Sequence, residues 1–222
     1  MKLILHHSYS QSSGMSALDT LRALTHCGAH ALVCRIRRSS DNVLLVHQDT
    51  TMARLCLCEE RIDALRFCEI DALMRLSGYS ILTLNELLEN YTEKTPLILH
   101  FRGFRPDASV ISRFIGDPRF SFATDSVEQL RVIAGGFPAH RTVGFACHIP
   151  NAAAMLRAGA SAVCLYGRRL SEYPPEQLLQ LGAGGRLLLE IPELSAEGLD
   201  AEMQKAGELA CYGVLLAPES IR

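Results

Sequence analysis

Short apolar runs recur along the chain and alternate with longer stretches whose apolar residues fall at helical spacing. The runs predict strands at residues 2–5, 31–36, 97–101 and 121–123, then at 142–147, 162–166, 186–191 and 213–216. Leu18, Leu21 and Leu24 mark a helix over 16–25, and similar periodicity predicts helices at 126–133, 151–158 and 201–210. Strands and helices alternating in this number predict a parallel sheet closed on itself. The expected fold is an α/β protein, a single (β/α)8 TIM barrel spanning residues 1–222.

Some segments depart from plain alternation. Gly28-Ala29-His30-Ala31-Leu32 and Gly159-Ala160-Ser161-Ala162-Val163 both join a helix end to a strand, with glycine expected in the left-handed cap. Leu181-Gly182-Ala183-Gly184-Gly185 precedes a strand, so it reads as a turn on the amino-terminal floor and not as a phosphate cradle. A polar turn at 37–42 joins two apolar runs closely enough for a β-hairpin. Residues from about 50 to 80 carry Ile62, Leu65, Ile70, Leu73 and Leu76 and read as a helical insertion after the second strand. A barrel helix is expected to follow it at 81–88.

Composition narrows the class of partner. With 48% hydrophobic and 21% charged residues the chain can bury a sizeable core, and a net charge of −2 argues against a nucleic-acid partner. No apolar run reaches membrane-spanning length, and histidines appear by residue 6, too early for the apolar part of a signal peptide. Eight cysteines without a C-x-x-C pair read as buried thiols of a cytoplasmic protein.

Candidate chemistry collects where a barrel keeps its site, at the carboxyl ends of the strands. Those ends carry His6, Arg35, His100, Arg102, His148, Tyr166 and Glu190, a set rich in histidine and arginine and poor in carboxylate. Arg35, Arg102 and His100 suit an anion, because guanidinium groups grip phosphate or carboxylate through paired donors. The plainer alternative is a structural ion pair of Arg35 with Glu190. His6, His100, His148 and Glu190 are a conceivable transition-metal set, weighed against hydrogen-bonded structural histidines. Cys56-x-Cys58 with Cys68 lacks a second pair and reads as packing. Cys147 and His148 are neighbours on a strand and point to opposite faces, which argues against a dyad. Arg35-Ile36-Arg37-Arg38 reads as solvated hairpin charge.

The order of these motifs resembles the glycerophosphodiester phosphodiesterase family over most of the chain, most specifically over residues 1–102. The family's apolar strand followed by His-Arg-Gly reads Leu5-His6-His7-Ser8, which maps the catalytic histidine to His6. Its Glu-Asn-Thr would fall at Met15-Ser16-Ala17 and is absent. Its Glu-x-Asp metal ligands fall at Val33 and Arg35; a slip of one residue would put Cys34 and Ile36 there, still without a carboxylate. Its second catalytic histidine, in a His-Asp pair, falls at Gln48 before Asp49, with His47 one residue early and expected to point away. The third metal-ligand strand reads Leu99-His100-Phe101-Arg102, the late Trp-Thr-Val-Asn strand reads Leu189-Glu190-Ile191-Pro192, and the closing Thr-Asp-x-Pro is reduced to Leu216-Ala217-Pro218.

The resemblance therefore implies the family's barrel without its full chemistry. A hard divalent cation needs several oxygen ligands. A like charge about 4 Å away opposes it by roughly 4 kcal/mol at an intermediate dielectric, so Arg35 argues against metal. The expectation is a protein that binds a small anionic, phosphorylated ligand, or a partner, with no cofactor. The alternative is a divergent, active phosphodiesterase of phospholipid metabolism, built on His6 and a divalent metal.

Overall fold

The computed structural model describes residues 2–6, 16–137, 141–167, 172–183, 186–191, 196–209 and 211–216. Eight parallel strands form a closed ring: β1 (Lys2–His6), β2 (Ala31–Arg38), β5 (Leu97–Phe101), β6 (Phe120–Thr124), β7 (Thr142–Ala146), β8 (Ala162–Leu165), β9 (Leu187–Glu190) and β10 (Gly213–Leu216). The order is β1-β10-β9-β8-β7-β6-β5-β2, and β2 returns to β1 through Ile4 opposite Ala31 and His6 opposite Val33. These strands match the eight apolar runs to within two residues at each end.

Two further strands stand outside the ring. β3 (Leu44–Val46) pairs antiparallel with the end of β2, Ile36 opposite Val46, and so forms the expected hairpin. The two-residue β4 (Leu82–Thr83) adds to β3 and was not foreseen from the sequence. β5 occupies one edge of β2 along Leu32–Ile36, so β1 and β3 share the other edge in succession. The strand therefore runs two residues past the ring and carries its side chains up over the carboxyl mouth.

The insertion is mostly short helices: α2 (Ala53–Cys56), a 3-10 turn (Ile62–Ala64) and α3 (Phe67–Leu76). Cys56 packs there, its Sγ 3.7 Å from Met74 Sδ. The barrel helices are α1 (Ala17–Thr25), α4 (Leu84–Asn90), α5 (Ala108–Ser112), α6 (Val127–Gly136), α7 (Ile149–Arg157), α8 (Pro175–Gly182) and α9 (Ala196–Glu208). The runs behind α5 and α8 were not singled out as helices from the sequence. Local chemistry starts several of the others. Ser16 caps α1 by accepting from the Asp19 backbone N–H, and Thr83 with Glu86 closes a capping box on α4.

Strand alternation divides the interior into two cores. Leu5, Leu32, Cys34, Ile36, Leu97, Leu99, Phe101 and Phe122 face outward beneath the helices. Ile4, Val33, Ile98, Ala123, Val143, Phe145, Cys164, Leu188 and Leu215 fill the barrel itself. Burial on both faces explains why the strands read as unbroken apolar runs. Gly28 and Gly159 take the expected positive φ, 77° and 101°, just before β2 and β8. Helix α8 ends at Gly182, five residues before β9; Gly184 and Gly185 of that glycine-rich run lie outside the described residues. So do His7, Ser8, Met15, Pro192, Ala217 and Pro218 of the family motifs, and Ala210 of the predicted last helix.

Candidate anion-binding site at the barrel mouth

Two residues beyond the apolar filling, the same inward faces turn polar. Ile4 is followed by His6, Val33 by Arg35 and Arg37, Ile98 by His100 and Arg102, and Leu188 by Glu190. Val33 and Arg35 therefore share the inward face of β2, while Cys34 and Ile36 pack outward, which selects the first of the two registers. The mouth brings together five of the expected site residues: His6, Arg35, His100, Arg102 and Glu190.

Their contacts cross the ring. Glu190 reaches over β10 to accept from His6 Nε2 at 3.1 Å, and the same oxygen lies 3.5 Å from the Arg35 guanidinium. The expected Arg35–Glu190 ion pair is thus present. Burial alone would raise the Glu190 pKa, but the His6 hydrogen bond and the positive charges of His6, Arg35 and Arg102 outweigh it and hold the carboxyl below its usual range. Its other oxygen, Oε2, is buried without a hydrogen-bond partner among the described residues.

His100 is 2% exposed and lies flat on Phe145, ring centroids 4.1 Å apart. Burial, then the charges of Arg35 and Arg102, push its pKa well below the ordinary histidine value, so it stays neutral. Neither ring nitrogen has a hydrogen-bond partner among the described residues. Among the described residues Arg102 has one carboxylate neighbour, Asp125 at 4.0 Å, and it sits 5.6 Å from the centre of the Tyr166 ring. Burial and the Cys147 contact raise the Tyr166 hydroxyl to about 12, which keeps it protonated.

Arg37 was missed at the sequence level, where the run 35–38 read as solvated charge. It is instead 8% exposed, with one guanidinium nitrogen donating to the Gln48 carbonyl at 2.7 Å. No carboxylate pairs with it among the described residues. Burial, then the charges of Arg102 and Arg35, lower its pKa to about 10, so it remains charged at neutral pH. The signal was available: Val33, Arg35 and Arg37 share one face at period two. Only Arg38 is exposed as expected of the run, and it stacks over Phe104 at 5.2 Å.

The remaining candidates separate. Gln48 lines a mouth cavity of about 470 Å3 together with Arg35, Arg37, Asp49, Arg54 and Arg102. His47 does not line it; its Nδ1 lies 3.2 Å from the Asp49 carbonyl, and burial lowers its pKa to about 4. Cys147 is half-buried, whereas His148 is exposed just before α7 and does not line that cavity. The donors that are assembled do not suit a hard divalent cation. Glu190 contacts His6 and Arg35, Asp49 is bound by Arg54 at 2.8 Å, and the four guanidinium groups of Arg35, Arg37, Arg54 and Arg102 line the space. Among the described residues no three His, Cys, Asp or Glu side chains gather around one point.

No family model and no curated protein matches the sequence. Solved structures do resemble it. A glycerophosphodiester phosphodiesterase from Thermotoga maritima superposes with a TM-score of 0.72 at 16% identity, covering 100% of this chain and 96% of that one. A putative glycerophosphodiester phosphodiesterase from Galdieria sulphuraria gives 0.75 at 14% identity, over 99% and 95% of the two chains. A phosphodiesterase from Oleispira antarctica, solved with the product sn-glycerol-3-phosphate, gives 0.73 at 14% identity, over 97% and 92%. The closed eight-stranded ring, matched over 97% or more of this chain in all three, gives it the fold of these glycerophosphodiester phosphodiesterases, a (β/α)8 barrel.

Proposed function

We propose that this protein is a divergent relative of the glycerophosphodiester phosphodiesterases that binds a small phosphorylated anion at its barrel mouth, without metal-dependent hydrolysis. One observation carries the reading: Arg37 is buried beside Arg35 and Arg102, and among the described residues no carboxylate forms an ion pair with it. A buried guanidinium without a counter-charge is costly to the fold, and an anion seated against it supplies the missing partner. The neutral His100 adds no charge of its own beside these arginines, and both of its ring nitrogens are buried without a hydrogen-bond partner among the described residues. No helix among the described residues is long and apolar enough to cross a membrane. The eight free thiols support a reducing compartment, which we take to be the cytoplasm.

The test is thermal melting of the purified protein with inorganic phosphate and glycerol phosphate. Both raise the melting temperature, and Arg35→Ala removes the shift. Unchanged melting with every anion tried would sink the reading.

One contact favours the alternative, a divergent phosphodiesterase acting on glycerophosphodiesters in phospholipid metabolism: the His6–Glu190 hydrogen bond at 3.1 Å orients an imidazole as a general base is oriented. That reading requires hydrolysis of glycerophosphocholine with added calcium, magnesium, manganese or zinc, abolished in His6→Ala. No turnover with any of the four metals removes it.

A further inference from the structure

The mouth holds a second cavity beside the first. It encloses about 240 Å3 and is lined by Arg37, Arg38, Arg61, Arg102, Phe104 and Asp125 among others. Arg37 and Arg102 line both spaces, so one pair of guanidinium groups stands between them. The two cavities are walled on one side by the turn of β2 and on the other by the insertion, through Arg54 and Arg61.

Most of the charge is already answered. Arg54 is paired with Asp49 at 2.8 Å, Arg61 with Asp63 at 2.6 Å, Arg35 with Glu190 at 3.5 Å and Arg102 with Asp125 at 4.0 Å. Of the guanidinium groups that line the two cavities, two pair with no carboxylate among the described residues. Arg37 lies at the base between the cavities, and Arg38 lies on the rim of the smaller one, held over the Phe104 ring. The Phe104 ring leaves the Arg38 guanidinium without a competing carboxylate, at the wall of the cavity that both residues line.

We propose that the two cavities form one site for a ligand carrying two phosphate groups. One group is seated against Arg35, Arg37 and Arg102, the other against Arg37, Arg38 and Arg102. This rests on the anion-binding reading above and extends it from a single phosphate to a pair. Bidentate guanidinium contacts favour phosphate over a softer or singly coordinated anion. A ligand that engages both cavities gains the second set of contacts without a second loss of translational freedom.

Calorimetric titration with inorganic phosphate, inorganic pyrophosphate and fructose 1,6-bisphosphate, all at one ionic strength, tests it. At least one of the two double phosphates binds about tenfold or more tighter than phosphate. Pyrophosphate ahead supports adjacent groups, and the sugar bisphosphate ahead supports separated ones. Arg38→Ala, at an exposed position, weakens the double phosphate about fivefold or more and changes phosphate less than about twofold. Arg113→Ala, which removes a charge outside both cavities, changes neither. The proposal is overturned if both double phosphates bind no tighter than phosphate, if Arg38→Ala leaves them unaffected, or if Arg113→Ala has the same effect as Arg38→Ala. Failure of phosphate itself to bind overturns the underlying reading instead.

Discussion

The floor and the mouth of this barrel are built by the same strands, two residues apart, and they are chemically opposite. At the floor Ile4, Ile98, Val143 and Leu188 close the ring with apolar filling. At the mouth the next inward positions hold His6, Arg35, Arg37, His100, Arg102 and Glu190, several of them buried. Burying the first set gains roughly 25 cal/mol per Å2 of apolar surface, whereas burying the second loses hydration that only partners restore. The floor is where the fold is held together. The mouth is where stability is given up.

The largest effect that tests this contrast is expected in the apolar layer. Leu215 is 1% exposed, packed between Ile4 and Glu190 in the ring. Leu215→Ala should cost about 2–5 kcal/mol in urea unfolding and leave anion binding in the surviving folded protein unchanged. A cost below about 1 kcal/mol would mean that the barrel interior is not the packed element argued for.

Next in size is a pH dependence confined to the mouth side. The folded-state pKa of His47, about 4, lies below the ordinary histidine value, so the unfolded chain takes up a proton that the folded one refuses. Stability is therefore full above about pH 6.5 and falls by up to about 1.4 kcal/mol per pH unit down to about pH 4. His100 is depressed too and adds to the same slope, whereas the lowered pKa of Glu190 confines its contribution to more acid pH. Urea midpoints at pH 7 and pH 5 read the slope, and His47→Gln should reduce it. An equal slope in the variant would show that His47 protonates freely when folded.

The same contrast governs what was legible in the chain. Strand positions were visible because burial on both faces leaves unbroken apolar runs such as Leu97-Ile98-Leu99, and that pattern survives any choice of partner strand. β4 was hidden because two residues carry no period; it exists only through its pairing with β3. At the mouth, His6, Arg35, His100, Arg102 and Glu190 were readable as strand ends, and period two put Arg35 on the inward face. Arg37 was not read because a basic run ending in a turn looks like solvated charge. Its burial depends on β3 and residues 48–51 folding back over the end of β2, a long-range event that composition does not announce. The contribution of Arg54 and Arg61 from the insertion was hidden for the same reason.

Arg37 gives the sharpest separation of the two ends. Arg37→Met replaces a costly buried charge by an apolar chain of similar length, so the fold should keep its stability or gain up to about 3 kcal/mol. Phosphate affinity should fall about tenfold to a hundredfold, the worth of a charged hydrogen-bonding group. A variant that loses more than about 3 kcal/mol of stability would place Arg37 with the floor residues, as structure and not as a binding group.

The smallest effect is expected from the opposite change, at Asp125. Its carboxylate stands 4.0 Å from Arg102, at the limit of an ion pair, with both side chains about one-third exposed. A pair of that kind is worth about 1 kcal/mol at most, so Asp125→Asn should move stability by no more than about 0.5 kcal/mol. Yet Asp125 competes with any incoming anion for the same guanidinium. Removing its charge should therefore tighten phosphate binding, by up to about fivefold, with the gain shrinking as salt is raised. Weaker binding in Asp125→Asn would mean that the carboxylate holds Arg102 in place for the ligand, making the pair part of the site and not a rival to it.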